Sequence, residues 1–313
     1  MKNRVIFMGT PEFAVPSLEA LLGNAYEILA VYTQPDKEAG RGRHVASTPV
    51  KHLALSRGLP VVQPETLKDA NVVAAIAGLK PDLIVVAAYG RIITSEILAL
   101  PEFGCLNVHP SLLPRYRGSS PIASAILQGD EVTGVTIMVM DKGMDTGPVL
   151  TQRTVPIAPD NTTGSLTTKL AQIGAQLLIE TVPQWVDGKI KPQPQDESRA
   201  TYTRVIAKDD GKLDWSLTAL DLWRRVRAYD PWPGCYTWWQ EKRLKIVAAM
   251  PLPGGKPEEA GKVVALPSGA AAIGVATRDG ILGLAKVQLE GKRVMSAEEF
   301  IRGQRDFVGS QLL

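Results

Sequence analysis

The chain holds three histidines, and His109 sits two residues after Asn107 in the stretch Gly104-Cys-Leu-Asn-Val-His-Pro-Ser-Leu-Leu-Pro-Arg-Tyr-Arg-Gly118. On a strand, residues two apart face the same way. An amide donor would then stand beside an imidazole, a pair able to polarise a carbonyl or move a proton near neutral pH. Pro110 ends the strand, so the pair falls at its carboxyl end, where open α/β sheets bind ligands. The plainer alternative is a core amide and a hydrogen-bonded histidine, and spacing alone leaves both open. A second cluster, Asp141 with Asp145 in Gly143-Met-Asp-Thr-Gly-Pro148, follows the apolar run ending at Met140. Such a carboxylate can cap its own turn. Placed beside His109, it would orient the ring.

The elements that must position these groups read as a parallel sheet covered by helices. Residues 4–9 form a buried strand ending in glycine, after which Thr10 is expected to cap a helix that carries Pro11 in its first turn. Ala14, Leu18, Leu21 and Leu22 recur at helical spacing. Further strands are expected over residues 27–33, 83–88, 104–109, 134–140 and 149–157, with helices over 50–56, 70–77 and 163–185. Continuous apolar strands alternating with helices predict an α/β fold with a Rossmann-like, mostly parallel sheet. This catalytic domain should span 1–190. Pro192-Gln-Pro-Gln-Asp196 reads as part of a linker over 191–207. Over 208–313, one helix (217–228) precedes short β-runs at 236–239, 244–249, 261–266, 270–276 and 280–289. That spacing suggests a smaller OB-like, partly open β-barrel.

Composition narrows the class. With 45% apolar and 21% charged residues the chain is ordinarily globular, and its 28 glycines and 23 prolines are too few for a low-complexity protein. No apolar run approaches the ~20 residues that cross a bilayer. The N-terminal residues read as a first strand rather than a signal peptide. A soluble cytoplasmic protein without membrane contact is the expectation. Cys105 and Cys235 are too few for a disulfide framework or a four-ligand zinc site, and no metal is expected. Net charge is −1 over residues 1–200 and +4 over 201–313. That excess permits contact with a polyanion without requiring it. The first turn, Gly9-Thr-Pro-Glu-Phe13, lacks the later glycines of a dinucleotide fingerprint, and no phosphate-binding P-loop is present.

Asn107–Gly118 together with Thr133-Gly-Val-Thr-Ile and Met144-Asp-Thr-Gly147 resembles the signature of the tetrahydrofolate-dependent formyltransferases. Met8-Gly-Thr-Pro-Glu-Phe-Ala14, Thr33-Gln-Pro-Asp-Lys37, Ala39-Gly-Arg-Gly-Arg43, Val85–Ile92 and Asp230-Pro-Trp-Pro-Gly234 resemble the branch of that family that formylates initiator methionyl-tRNA. The likeness runs from about residue 4 to the end of the chain. It implies an enzyme that moves the formyl group of 10-formyltetrahydrofolate onto the α-amino group of methionine on initiator tRNA, for translation initiation.

The resemblance assigns catalytic roles to Asn107, His109 and Asp145, and folate contact to Ser111, Leu112, Leu113 and Pro114. Tyr89 and Gly90 either line the folate pocket or merely end a strand. Arg115 and Arg117 either meet a phosphate or the folate glutamate, or are solvated. The loop 36–47 would enter the acceptor stem of the tRNA with Arg41 and Arg43, although Glu38 weakens its basic character. Lys242, Arg243 and Lys245, beside Trp238 and Trp239, would form the barrel's tRNA-contacting patch. A monomer is expected. The Asn-His-Asp set alone also suits a formyltransferase acting on a small amine, or a hydrolase releasing formate. A non-catalytic folate- or RNA-binding protein is the alternative outside enzymes.

Overall fold

The computed structural model describes residues 3–24, 26–39, 44–254, 259–267 and 271–313. The chain divides into two compact units. One runs through Pro121 and takes in Val132–Pro156 and Thr167–Thr203, and the other takes in Ile122–Glu131, Ile157–Leu166 and Arg204–Leu313.

In chain order the elements begin with β1 (Arg4–Gly9), α1 (Val15–Gly23), β2 (Glu27–Tyr32), the hairpin β3 (Lys37–Ala39) and β4 (His44–Ala46), α2 (Pro49–Ser56) and β5 (Val61–Val62). They continue with α3 (Ala70–Leu79), β6 (Leu83–Ala87), α4 (Ser95–Leu98), β7 (Cys105–His109), β8 (Arg117–Gly118), α5 (Pro121–Gln128), β9 (Val132–Val139), β10 (Val149–Pro156), α6 (Thr163–Val186) and β11 (Tyr202–Thr203). The main sheet has the order β10-β9-β7-β6-β1-β2-β5. Strands from β5 to β7 are parallel, and β9 and β10 close the other edge antiparallel. Every residue of β6 and of β7 is buried, as expected for strands covered on both faces. The strand order reverses at β1, which lies between β2 and β6. Ligand crevices in such sheets form beside that switch point, at the carboxyl ends of the strands.

Side-chain caps explain several helix starts. Thr48 caps α2 by accepting from the Lys51 N–H at 3.2 Å, and Asp69 caps α3 through the Asn71 N–H at 2.8 Å. Thr10 caps no helix, contrary to expectation. A short 3-10 turn over Glu12–Ala14 precedes α1, and the Thr10 hydroxyl instead donates to the Tyr89 carbonyl at 3.0 Å, tying the ends of β1 and β6 together.

The linker expected over 191–207 is fastened to the first unit as far as Thr203. Gln193 exchanges two main-chain hydrogen bonds of 2.8 Å with Val149, and β11 pairs parallel with β8. Its polar composition misleads because it is held by main-chain and amide hydrogen bonds rather than by apolar burial. The expected boundaries also shift at 122–131 and 157–166, which group with 204–313. There the Thr163 hydroxyl donates to Ala228 O at 2.6 Å, and the Arg227 guanidinium donates to Asn161 O and Ala158 O.

The second unit continues with α7 (Ala219–Ala228), β12 (Cys235–Trp239), β13 (Lys242–Leu252), β14 (Val263–Ala265), β15 (Ile273–Ala276), β16 (Ile281–Leu289), β17 (Met295–Ser296) and α8 (Ala297–Gly303). Its antiparallel sheet has the order β12-β13-β16-β15-β14, with β17 added on β16. Residues 309–313 bridge the two edge strands. The Val263 N–H donates to Ser310 O at 2.9 Å, and Trp238 and Leu313 exchange bonds of 3.1 and 3.2 Å. Trp239 packs edge-on against Phe300 and Phe307, with centroids 5.8 and 5.1 Å away. Among the described residues no helix is long and apolar enough to cross a membrane.

Candidate active site

The carboxyl ends of β6 and β7 open into a cavity of about 480 Å³ in the first unit, lined among others by Asn107, His109, Met140 and Asp145. Its rim carries Ile92 and Met144, which are 83% and 62% exposed. Exposed apolar side chains of that size beside converging polar groups suit a flat, partly apolar ligand.

Asn107 and His109 share the face of β7 that meets this cavity, and both are buried. Asp145 comes from the turn after β9, with φ at +55°. Aspartate tolerates left-handed backbone better than most residues, and here its carboxylate is held by donors from two other segments. The Asn107 amide donates to Asp145 Oδ1 at 3.3 Å, and the Gly118 N–H donates to Oδ2 at 2.7 Å. His109 Nδ1 lies 3.6 Å from the same Oδ2. His109 Nε2 stands 3.0 Å from the Tyr116 carbonyl. A carbonyl oxygen only accepts, so Nε2 carries the hydrogen in this contact. A ring protonated on both nitrogens would present Asp145 with a third N–H.

Residues 116–118 thus contact both partners, and β8 anchors them. Arg117 is fully buried, not the solvated or ligand-facing arginine that the sequence left open. Its guanidinium donates to Glu197, to the Tyr202 hydroxyl at 3.0 Å and to Gln195 Oε1 at 2.9 and 3.1 Å. The hydrogen bond from Arg117 holds the Glu197 carboxyl below the usual range. Arg115 donates to the Tyr116 hydroxyl and lies 4.8 Å from that ring's centroid.

The other expected residues distribute unevenly. Tyr89 and Gly90 line the cavity. The Tyr89 ring belongs to the sheet's core with Tyr32 and Ile76, and burial pushes its phenol up to about 12. Gln34, which the sequence did not single out, donates to both the Tyr89 and Gly90 carbonyls. Ser111, Leu112, Leu113 and Pro114 are not among the residues lining the cavity. Their polar atoms turn inward. The Ser111 hydroxyl donates to Arg115 O at 2.6 Å, and Leu113 bonds Thr136 and Gln152 through its N–H and carbonyl.

Arg41 and Arg43 lie outside the described residues. Lys242, Arg243 and Lys245 share β13. The register puts Arg243 and Lys245 opposite Trp238 and Tyr236 on one face, whereas Lys242 opposes the buried Trp239 on the other. The Arg243 guanidinium stands 3.6 Å from the Tyr236 ring centroid. Of the two tryptophans, Trp239 is core and Trp238 is partly exposed. Among the described residues, no group of three or more His, Cys, Asp or Glu could hold a metal ion.

Comparison with known proteins agrees with this architecture. The family described as "Formyl transferase" matches residues 1–182, and "Formyl transferase, C-terminal domain" matches residues 205–305. The methionyl-tRNA formyltransferase of Roseiflexus sp. (strain RS-1) is 49% identical, covering 100% of this chain and 96% of that protein. That of Myxococcus xanthus (strain DK1622) is 48% identical over 99% of this chain and 98% of its own. In fold, the chain is similar to the N-formyltransferase from Helicobacter canadensis, solved with folinic acid and dTDP-3-aminofucose. The TM-score is 0.63 at 19% identity, covering 91% of this chain and 99% of that one. Matched in both units and close to half identical to such relatives along its length, the chain belongs to the formyl transferase family, in the branch of the methionyl-tRNA formyltransferases.

Proposed function

We propose that this chain transfers the formyl group of 10-formyltetrahydrofolate to the α-amino group of methionine on initiator methionyl-tRNA, with Asn107, His109 and Asp145 surrounding the reacting carbon. The observation that carries the reading is the convergence of these three side chains in one cavity, in a chain nearly half identical throughout to methionyl-tRNA formyltransferases. The donor fits this cavity: Ile92, Met140 and Met144 offer apolar walls for a flat ring. Asn107 has a second amide hydrogen beyond the one given to Asp145.

The reaction forms a bond from the methionyl nitrogen to the formyl carbon and breaks the bond from that carbon to the folate nitrogen. One amine proton passes to the departing nitrogen. Negative charge gathers on the formyl oxygen between these events. Asn107 donates to that oxygen, and a protonated His109 adds positive charge beside it. Asp145 holds both in place, as a carboxylate does for a triad histidine. With Nε2–H given to the Tyr116 carbonyl and Nδ1 turned towards Asp145, the protonated ring acts on the formyl oxygen through its charge.

The second unit, with Arg243 and Lys245 of β13 and Trp238 of β12 on one face of the pair, supports contact with the tRNA backbone, and Lys242 adds charge at the start of β13. Arg41 and Arg43 reach the acceptor stem in this reading. Ser111 to Pro114 act on the folate indirectly, by shaping the turn that follows His109. The protein works as a monomer in the cytoplasm, away from membranes. The test is formylation of methionine-charged initiator tRNA against charged elongator tRNA, with 10-formyltetrahydrofolate as donor. Selective product on the initiator is expected. Donor turnover without product on either tRNA would transfer the reading to a small amine or water as acceptor.

A further inference from the structure

We infer that Gln195 is a positioning residue for Asp145, set by the buried guanidinium of Arg117. The inference rests on the reading of Asp145 given above. The Gln195 amide Nε2 donates to two carbonyls of the catalytic turn, Asp145 O at 2.8 Å and Gly147 O at 2.7 Å. The first of these carbonyls belongs to Asp145 itself, whose φ of +55° is left-handed, and the two bonds bracket Thr146. Between them the turn cannot relax toward ordinary backbone without breaking one bond or both.

An amide free to rotate could not do this. Gln195 is prevented from flipping because its Oε1 accepts two hydrogen bonds from Arg117, which presents only donors. Arg117 is itself immobilised by Glu197 and Tyr202 and by its place in β8. The two residues flanking Arg117 contact the reacting set directly, Tyr116 through its carbonyl to His109 and Gly118 through its N–H to Asp145. One buried arginine therefore fixes the site from two sides, along the main chain and through Gln195. The stretch that reads as a linker is part of the catalytic frame.

Two substitutions separate positioning from mere satisfaction of Arg117. Gln195→Met removes both the donor and the acceptor. Gln195→Glu keeps an acceptor for Arg117 but offers no N–H to the turn. We expect both variants to lose about tenfold or more in kcat, since small misplacements of a reacting group are costly. KM for 10-formyltetrahydrofolate and for initiator methionyl-tRNA should stay within about twofold of wild type, and Gln195→Glu should remain folded at the assay temperature. Wild-type kcat in Gln195→Glu would overturn the inference, because only the acceptor would then matter. A change confined to KM, or a loss explained by unfolding of Gln195→Glu, would overturn it as well. Should Gln195→Met fail to fold, Gln195→Glu decides alone. Asp145→Asn, assayed in parallel, separates the two levels. A fall there with none in the Gln195 variants sinks only the role of Gln195, and wild-type kcat there sinks the reading of Asp145 on which it rests.

Discussion

At the scale of single residues, the site is an arrangement of donors around one carboxylate. Asp145 accepts from Asn107 and Gly118 and faces His109, so its removal frees two side chains rather than one. Asn107→Ala should cost about 10²–10³ in kcat, the usual loss for one donor to a developing oxyanion. His109→Ala and Asp145→Ala should each cost at least as much, and combining any two should cost far less than the product. Single-turnover formylation with circular-dichroism melts checks both points; wild-type rates in any single variant would remove that residue from the reaction. Asn107 and His109 were legible because two-residue spacing on a strand needs no knowledge of the fold. Asp145 was singled out with Asp141 from the turn that holds them, and the family resemblance chose between the two. Gln195 and the buried state of Arg117 were not legible, because their partners lie 50 and 78–85 residues away and no periodicity encodes such contacts.

Among elements, those with enough residues to show a period were read from the sequence. β6, β7 and β9 are apolar runs, and α6, expected over 163–185, spans Thr163–Val186. The two-residue strands β5, β8 and β11 were invisible because a pair of residues has no alternation to detect. β8 and β11 nevertheless anchor the residues that bond His109 and Asp145. The turn between β9 and β10 makes a sharper demand. A Cβ on Gly147 would lie 1.9 Å from the Val139 carbonyl oxygen, so the backbone would have to move. Gly147→Ala should therefore destabilise the first unit by about 1–3 kcal/mol. It should also lower kcat by about tenfold or more, because Asp145 rides on the same turn. Denaturant melts and steady-state kinetics test this together; a variant that loses stability but keeps kcat would show that Asp145 is held independently of the turn.

For the whole molecule, charge and burial make separate predictions. Residues 201–313 carry a net +4, which should make tRNA binding weak and salt-sensitive through counterion release. Lys245→Glu, beside Tyr236 on β13, should raise KM for tRNA severalfold at low salt and leave KM for folate unchanged. Equal KM for tRNA in variant and wild type would take Lys245 out of the interface. Alkaline stability follows from the two buried thiols, Cys105 in the first unit and Cys235 in the second. Burial pushes each thiol from 9.0 up to about 12. The folded value lies above the unfolded one, so the folded chain keeps protons that the unfolded chain releases. The stabilisation is complete below pH 9 and is lost as pH rises towards 12, by up to ~1.4 kcal/mol per pH unit for each thiol. Tyr89 adds to the same slope in the first unit, between 10 and about 12. Urea unfolding from pH 8 to 11 should thus show stability level at first and falling above 9. Cys105→Ala should make the fall shallower without abolishing it, because Tyr89 remains. An unchanged slope in that variant would mean that the Cys105 thiol ionises as readily in the folded chain as in the unfolded one, against the burial of β7 on both faces.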